Sequence, residues 1–192
     1  YNIESEYLLV YIGSMAPIRR LEFLFDVLAQ VRREHDVELL MMGGRSSNHR
    51  TRLEKAAEKK GVRSKTIFTG WVSDRDEINS AISLADIGLS PFPTDSIVRT
   101  NAPIKTLEYM AVGTPVVASR TPDQEMVLNR SEAGVVASYD HSAFSQAIIE
   151  LLDNKTARKQ MGEAGIQYLQ FNRNFRVLTD KAEEIYIDVV SN

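Results

Sequence analysis

The chain has 192 residues, of which 43% are hydrophobic, 26% charged and 8% aromatic, and this composition is typical of one globular domain with a buried core. Its formal net charge of −3 provides no strong field for nucleic acid or anionic lipid, so we expect no nucleic-acid partner. The lack of cysteine excludes disulfide bonds, thiolate catalysis and cysteine-based zinc sites, and it agrees with a cytoplasmic location.

Short apolar runs alternate with amphipathic segments along the chain. The runs are predicted to be strands, and segments with apolar residues three and four positions apart are predicted to be helices. Because strands joined by helix-sized connections form parallel sheets covered on both faces, we expect an α/β fold: a doubly wound, Rossmann-like sheet with a helical C-terminal tail. The predicted strands are 8–12, 37–42, 66–69, 87–90, 115–119 and 134–137, and the predicted helices are 17–34, 48–60, 74–84, 103–112, 142–153, 156–171 and 175–190.

No targeting or membrane segment is visible in the sequence. The longest apolar stretches, 7–12 and 37–42, are far too short to span a bilayer, and no basic stretch followed by an apolar core indicates a signal peptide. The chain begins at Tyr1 instead of methionine, and a predicted strand follows almost at once. We therefore expect residues 1–192 to form one domain that follows a further segment in the full-length protein.

The carboxyl ends of the predicted strands carry mostly glycine or proline. Ligands of doubly wound sheets bind beyond these ends, and glycine lets a ligand approach the backbone closely. Ordinary βα turns also contain glycine, so each turn taken alone is as consistent with a simple turn as with a site. The candidate binding residues at this edge are Gly13, Ser14, Gly43, Gly44, Trp71 and Pro91.

Three cations stand near the starts of predicted helices at this edge, where the helix dipole disfavours positive charge. Arg19 and Arg20 follow one proline that can begin a helix, and Lys105 follows another. An anion bound between the helix starts would explain this placement, and a diphosphate fits. Alternatively, the side chains extend into water, or Lys105 forms a weak pair with Glu108 three positions later. Of the two arginines, we expect one to contact phosphate and the other to be solvated.

Two further side chains at this edge suit a nucleotide. Glu108 is predicted to lie in a largely buried helix beyond its first turn, where a carboxylate needs a donor partner such as the ribose hydroxyls. The alternative for Glu108 is a structural pair with an arginine or a backbone cap. Trp71, the single tryptophan, either borders a nucleobase or, as is more common, serves in packing.

Other catalytic signatures are missing from the sequence. His35, His49 and His141 do not stand at metal-ligand spacing, so we expect no metal site and no bound cofactor. The sequence has no Ser-His-Asp signature, no phosphate-binding P-loop and no G-x-G-x-x-G after the first strand. These absences disfavour hydrolase, kinase and nicotinamide-dependent functions.

Residues 107–118 read LEYMAVGTPVVA, a helix that ends at a glycine and turns at once into a buried strand. This run resembles the C-terminal, donor-binding domain of retaining glycosyltransferases of family 4, the glycosyl transferases group 1 family. The resemblance extends over almost the whole chain. Its further matches are residues 11–15 with the arginines that follow, 38–44, 67–72, 85–91 and the helical tail around 151–162.

Members of this family bind a nucleotide-diphosphate sugar, and the resemblance implies which residues would do so here. The matching positions are Glu108 for the ribose, the backbone amides of Ile104 and Lys105 for the diphosphate, Arg19 or Arg20 for its neutralisation, and Val72 for the base. The sequence departs from the family at two positions. Thr100 stands where a sugar-binding glutamate is usual, and Ser14 stands where many members have arginine. Thr100 and Asn101 can hydrogen-bond sugar hydroxyls but carry no charge.

The resemblance implies a hexosyltransferase of the two-domain GT-B architecture, which moves a sugar from a UDP- or GDP-sugar to an acceptor glycan or lipid-linked sugar. In this architecture the acceptor site comes mostly from an N-terminal domain, so we expect that domain to be the partner of this chain. We expect the chain to be inactive alone, and the full-length protein to be cytoplasmic and peripheral to the membrane. Two alternatives stay open: a nucleotide-sugar epimerase or a phosphorylase of similar architecture, and a non-catalytic nucleotide-binding or interaction module.

Overall fold

The computed structural model describes residues 1–94 and 102–191. Within this part of the chain, six parallel strands form one sheet, and helices pack on both of its faces. The strands are β1 (Tyr7–Ile12), β2 (Val37–Met42), β3 (Thr66–Gly70), β4 (Ile87–Ser90), β5 (Val116–Ser119) and β6 (Gly134–Ala137). The α-helices are α1 (Phe23–Val31), α2 (Ser47–Lys59), α3 (Arg75–Ser83), α4 (Ile104–Ala111), α5 (Pro122–Ser131), α6 (His141–Asp153), α7 (Lys155–Tyr168) and α8 (Phe175–Ser191).

The strand order confirms the predicted fold class. The strands are arranged β3-β2-β1-β4-β5-β6, so the chain moves outward in one direction from β1 and then returns to its other side at β4. This is the order of a doubly wound, Rossmann-like sheet, and its direction reverses between β1 and β4. All the predicted strands form, with ends that differ from the expected positions by one residue at most.

Burial on both faces explains why the central strands are continuously apolar. Alternate residues of β1 point to opposite faces, so Leu9 and Tyr11 pack in the hydrophobic cluster with α1 and α6. Val10 and Ile12 pack in the other cluster, with α3, α4 and α5. The two clusters hold the C-terminal ends of the strands in fixed positions, and these ends form the edge where a ligand is expected.

The predicted helix 17–34 is wrong, because the structure divides this segment into two. Pro17–Arg19 forms a single 3₁₀ turn, and α1 begins only at Phe23. Arg20 adopts a left-handed conformation with φ of 47°, and its N–H donates to the Pro17 carbonyl. Leu21 follows directly and is completely buried, so the chain turns inward at this point. Arg19 and Arg20 therefore do not share the first turn of one α-helix.

Two other helical segments differ from the prediction. Residues 124–129, expected only as a polar segment, lie in the helix α5, and Gln124 in its first turn is completely buried. The predicted helix 156–171 ends its α-helical part at Tyr168 and continues as a π-helical turn, Leu169–Arg173. For α5 the buried contacts of the segment, which include Gln124, decide the conformation, not its apolar spacing alone.

The C-terminal helix α8 differs from the others because none of its residues is buried. It packs on the π-helical turn Leu169–Arg173 and exposes large apolar side chains, including Phe175 at 89% and Val190 at 82%. Across residues 1–94 and 102–191, no helix is both long enough and apolar enough to cross a membrane.

Candidate functional site

A cavity of about 650 Å³ lies at the C-terminal edge of the sheet. Its walls come from the ends of β1, β2, β3 and β4 and from the first turns of α3 and α4. The cavity therefore includes the point between β1 and β4 where the strand order reverses, which is the usual ligand position in doubly wound sheets. Its volume is within the range of small-molecule sites.

The structure brings most of the predicted site residues together at this cavity. Those that line it are Gly13, Ser14, Arg19, Gly43, Trp71, Val72, Ile104, Lys105 and Glu108. Three others, Arg20, Gly44 and Pro91, are not part of its lining. Thr100 and Asn101 lie outside the described residues.

Lys105 lies against aromatic rings. The side chain is half-buried, and its Nζ lies 4.4 Å from the centroid of the Tyr11 ring and 4.8 Å from that of Phe92. Nζ also donates a long hydrogen bond of 3.4 Å to the Tyr11 hydroxyl. Loss of solvent and, second, the charge of Arg19 lower the pKa of Lys105 to about 7, while Glu108 opposes the shift. Among the described residues no carboxylate forms an ion pair with Lys105, so the surface pair considered for Glu108 does not form.

Arg19 is the arginine that faces the cavity. Its guanidinium carbon lies 4.9 Å from the centroid of the Phe92 ring. Its Nη1 is buried and has no hydrogen-bond partner in the described part of the chain. A buried donor without a partner costs free energy, so this group suits an acceptor from a ligand. Arg20 is exposed, and its carbonyl accepts a hydrogen bond of 3.3 Å from the Tyr139 hydroxyl.

Glu108 forms the structural pair that was considered as an alternative to ribose binding. Its Oε1 accepts a hydrogen bond of 2.7 Å from Nη1 of Arg75, and both side chains line the cavity. Arg75 is 73% exposed and Glu108 only 26%, so the carboxylate is the more fixed partner. A carboxylate can accept several hydrogen bonds, so this pair leaves Glu108 with acceptor capacity toward the cavity.

The glycines at the ends of β1 and β2 are required mainly by packing. Gly43 has φ of 121°, and a Cβ atom placed on it would lie 2.4 Å from the Gly13 carbonyl oxygen. Gly44 has φ of 77°, and its Cβ would lie 2.9 Å from the Met15 sulfur. At Gly13 a Cβ would lie 3.4 Å from Lys105 Nζ. Of these three glycines, Gly13 is therefore the one whose missing side chain leaves space beside a cavity cation. Close approach of two chain segments therefore explains Gly43 and Gly44 without a ligand.

Trp71 stands at the rim of the cavity, outside the core. It is 57% exposed, and the guanidinium carbon of Arg45 lies 3.9 Å from its ring centroid. Val72 is half-buried and lines the cavity beside it. The rim therefore offers one aromatic face and one apolar side chain, and both can contact a flat ring.

Two cavity residues that matter here, Phe92 and Arg75, are not among the predicted binding residues. Phe92 follows the predicted strand-end residue Pro91, and its burial at 2% exposure depends on contacts that only the folded chain reveals. Arg75 is the first residue of α3, so the rule that selected Lys105, a cation at a helix start, also applies to it. Across residues 1–94 and 102–191, no cluster of three or more histidine or acidic side chains could hold a metal ion.

The fold and the cavity are those of a Rossmann-like domain with cations at its switch point. Residues 6–154 match the family model described as glycosyl transferases group 1, and the chain belongs to this family. The match covers β1 to β6 and all of the cavity residues named above.

Three known proteins show how far the likeness extends. The chain is 26% identical over 189 residues to the GDP-mannose-dependent alpha-(1-6)-phosphatidylinositol monomannoside mannosyltransferase of Mycolicibacterium smegmatis, covering 96% of this chain and 49% of that protein. Its fold is similar to the crystal structure of the C-terminal domain of a group 1 glycosyl transferase, LpcC, from Francisella tularensis, with a TM-score of 0.75, 16% identity and coverage of 90% and 89%. It is also similar to Anabaena HepE in complex with UDP and glucose, with a TM-score of 0.73, 15% identity and coverage of 98% and 49%.

The chain spans less than half the length of the curated relatives that it matches. In contrast, it covers 89% of the separately crystallised C-terminal domain from Francisella tularensis. The chain therefore corresponds to the C-terminal domain of a GT-B glycosyltransferase.

Proposed function

We propose that this chain is the donor-binding domain of a hexosyltransferase and that it holds a UDP- or GDP-sugar in the cavity. One observation carries the proposal: Lys105 and Arg19 face the same cavity beside the start of α4, and in the described residues neither has a carboxylate partner. Two desolvated cations without counter-charges suit an anionic ligand. The relatives support the choice of anion, because one is named GDP-mannose-dependent and one neighbour was solved with UDP.

In the proposed complex the diphosphate lies between Lys105, Arg19 and the first turn of α4. The first backbone N–H groups of a helix have no partner within it, so those of Ile104 and Lys105 are suited to bind phosphate oxygens. The ribose hydroxyls would donate to Glu108, and the base would lie toward the rim. Residues 1–192 would act as one domain in this complex.

The proposed chemistry is transfer of the sugar to an acceptor hydroxyl. The bond between the anomeric carbon and the phosphate oxygen breaks, and its electron pair goes to that oxygen. The acceptor oxygen bonds to the carbon, and the proton of the acceptor hydroxyl passes to the leaving phosphate oxygen. Lys105 and Arg19 would stabilise the charge that develops on the leaving diphosphate. Since these side chains supply the positive charge, the proposal requires no metal ion, and a chelator would leave the dissociation constants of UDP and GDP unchanged.

The acceptor would be a glycan or a lipid-linked sugar, bound between this domain and an N-terminal domain of the full-length protein. A lipid-linked acceptor would bring the protein to a membrane surface from the cytoplasm. In this proposal the isolated domain binds the donor but does not transfer the sugar. The proposal includes retention of the anomeric configuration, because the family that the sequence resembles consists of retaining enzymes.

Calorimetric titration tests the proposal. UDP or GDP is expected to bind more tightly than uridine or guanosine, and Lys105→Ala is expected to weaken the diphosphate by about 10- to 100-fold, the range for a lost charge-assisted hydrogen bond. The nucleoside affinities would change little. Lys55→Ala, which removes an exposed lysine of α2, is the matched control. Equal losses for nucleotide and nucleoside would contradict the role of Lys105 at the diphosphate.

A non-catalytic nucleotide-binding or interaction module is the second candidate. It is favoured by Ser14, which is exposed at the cavity and carries no charge where many family members have arginine. If UDP and GDP show no binding at millimolar concentration, an interaction module is favoured. If they bind, an assay of transfer against epimerisation with the full-length protein separates the transferase from an epimerase and from a module that only binds.

A further inference from the structure

The two cavity cations, Lys105 and Arg19, carry like charges, and like charges that are held close together repel each other. Lys105 and Arg19 are close enough for the arginine charge to disfavour the charged form of the lysine. Buried or half-buried cations in proteins are usually held by carboxylates. In the described part of the chain, no carboxylate forms an ion pair with either of them. Another group must therefore hold the two side chains at the cavity.

Both side chains lie against the ring of Phe92. The Arg19 guanidinium carbon lies 4.9 Å from the ring centroid and Lys105 Nζ lies 4.8 Å from it. Both distances are within the range of about 6 Å for attraction between a cation and an aromatic face. Tyr11 adds a second ring on Lys105, 4.4 Å from Nζ. Among the described rings, Phe92 is the one that both cations lie over within 6 Å of its centroid.

A buried hydrogen-bond network fixes Phe92 in place. Its N–H donates to Ser119 Oγ at 2.6 Å, and its carbonyl accepts from the same hydroxyl at 2.9 Å. Gln124 Nε2 donates to the Ser119 carbonyl at 2.8 Å. Gln124 Oε1 accepts from the hydroxyls of Ser90 and Thr106. Thr106 adjoins Lys105 in α4, so the same network fixes the main chain at Phe92 and the helix that carries the lysine.

We propose that Phe92 is a positioning residue whose ring face holds Arg19 and Lys105 toward the cavity in the place where a carboxylate would otherwise stand. An aromatic face attracts a cation but carries no net charge. It therefore neutralises neither side chain and leaves their positive charge available to a phosphate ligand, whereas a carboxylate would neutralise that charge and compete with the phosphate. This inference rests on the proposed function, since it assumes that the ligand is a nucleoside diphosphate.

The test separates the electrostatic effect of the ring from its volume. Phe92→Leu keeps a large apolar side chain but removes the ring. A series with mono-, di- and trifluorophenylalanine at position 92 keeps the shape nearly constant while it weakens the negative face. Dissociation constants of UDP, GDP, uridine and guanosine are measured by calorimetry on the whole chain, with each variant checked for folding by thermal denaturation.

The diphosphates are expected to lose about tenfold in affinity with Phe92→Leu and to lose affinity in steps along the fluorine series. The nucleosides are expected to stay within about twofold, since they make no contact with the cations. Phe68→Leu is the matched control: Phe68 is 8% exposed, has Arg63 at 5.3 Å from its ring centroid and is not part of the cavity lining. It should lower stability in the same way without changing diphosphate affinity.

Each of the following results would overturn the inference. Constant diphosphate affinity along the fluorine series would mean that Phe92 only fills space. A parallel loss for nucleosides and diphosphates would mean that the cavity had collapsed. If the unmodified chain binds neither UDP nor GDP more tightly than its nucleoside, both the inference and the proposed function fail. A chain that loses diphosphate affinity with Lys105→Ala but not along the fluorine series keeps the function and rejects the role of Phe92.

Discussion

Two helix starts at the same cavity carry a cation, and they hold it in opposite ways. Lys105 in the first turn of α4 is half-buried against aromatic rings and has no carboxylate partner in the described chain. Arg75 at the start of α3 is 73% exposed and is paired with Glu108. The position at a helix start is the same, but the partner differs. A cation at a helix start therefore indicates an anion site only when its counter-charge is missing.

The strongest contrast between the two helix starts should appear in the pH dependence of binding. The pKa of Lys105 is lowered to about 7, so the free lysine loses its charge as pH rises through neutrality. A bound diphosphate would favour the charged form and raise this pKa. Above pH 7, binding then requires uptake of a proton, and affinity for UDP or GDP falls by up to about tenfold per pH unit until the pKa of the complex is reached.

Calorimetry at pH 8 in buffers of different ionisation enthalpy measures this proton uptake directly. Lys105→Arg is the control, because arginine stays charged over the whole range and should bind without proton uptake. If the wild-type affinity for UDP or GDP stays constant between pH 7 and 9, the predicted difference between the helix starts of α4 and α3 is wrong.

The free energy of unfolding of the ligand-free chain should change with pH in the opposite sense to the affinity. Because the lysine of the unfolded chain keeps its proton up to the ordinary lysine pKa of 10.5, stability is expected to rise with pH between 7 and 10.5.

A smaller effect is expected from the two neighbouring arginines. Arg19→Ala removes a cation that faces the cavity, and it should weaken UDP or GDP binding by about tenfold, a typical loss for one charge-assisted contact. Arg20→Ala removes an exposed side chain outside the cavity lining and should change the affinity by less than about twofold. Salt titration provides a second measurement, because only the Arg19 variant should reduce the salt dependence of binding. Similar losses in both variants would mean that the cavity does not distinguish the arginines.

The smallest effect is expected at Arg75. The side chain of Arg75 is 73% exposed, and pairs with such an exposed partner contribute about 0–1 kcal/mol, so Arg75→Ala should change nucleotide affinity by less than about fivefold. Glu108→Gln, which changes the fixed partner, should weaken uridine and UDP by the same factor, because ribose is common to both. Affinity for both ligands is measured by calorimetry. If Arg75→Ala has as large an effect as Lys105→Ala, the comparison between the two helix starts is wrong.

Much of the fold and part of the site could be predicted from local sequence. The strands have continuous apolar runs with glycine or proline near their ends, and burial on both faces of a parallel sheet produces that pattern. Spacing alone predicts Lys105 at a helix start and Glu108 in a largely buried helix, and it therefore predicts both at the ligand edge. Both residues line the cavity.

The remaining features depend on contacts between distant parts of the chain. The break at Arg20 follows from the burial of Leu21, which local spacing does not reveal. The helix α5 was missed because Gln124 is polar, yet it is completely buried and satisfied by hydroxyls from two other elements. The position of Phe92 relative to the two cations requires three segments to meet. Thr100 and Asn101 lie outside the described residues, so their predicted contacts with the sugar stay predictions.

The contact between Gly43 and the carbonyl of Gly13 sets a limit on how this site can change. Part of the cavity wall is formed there by main chain against main chain, with no room for even one methyl group on Gly43. Substitutions among the surrounding side chains can alter the charge and the rim, but they cannot bring the ends of β1 and β2 closer together. The distance between these two strand ends is thus a fixed dimension of the fold, and ligand preference can diverge only through the residues that project above it.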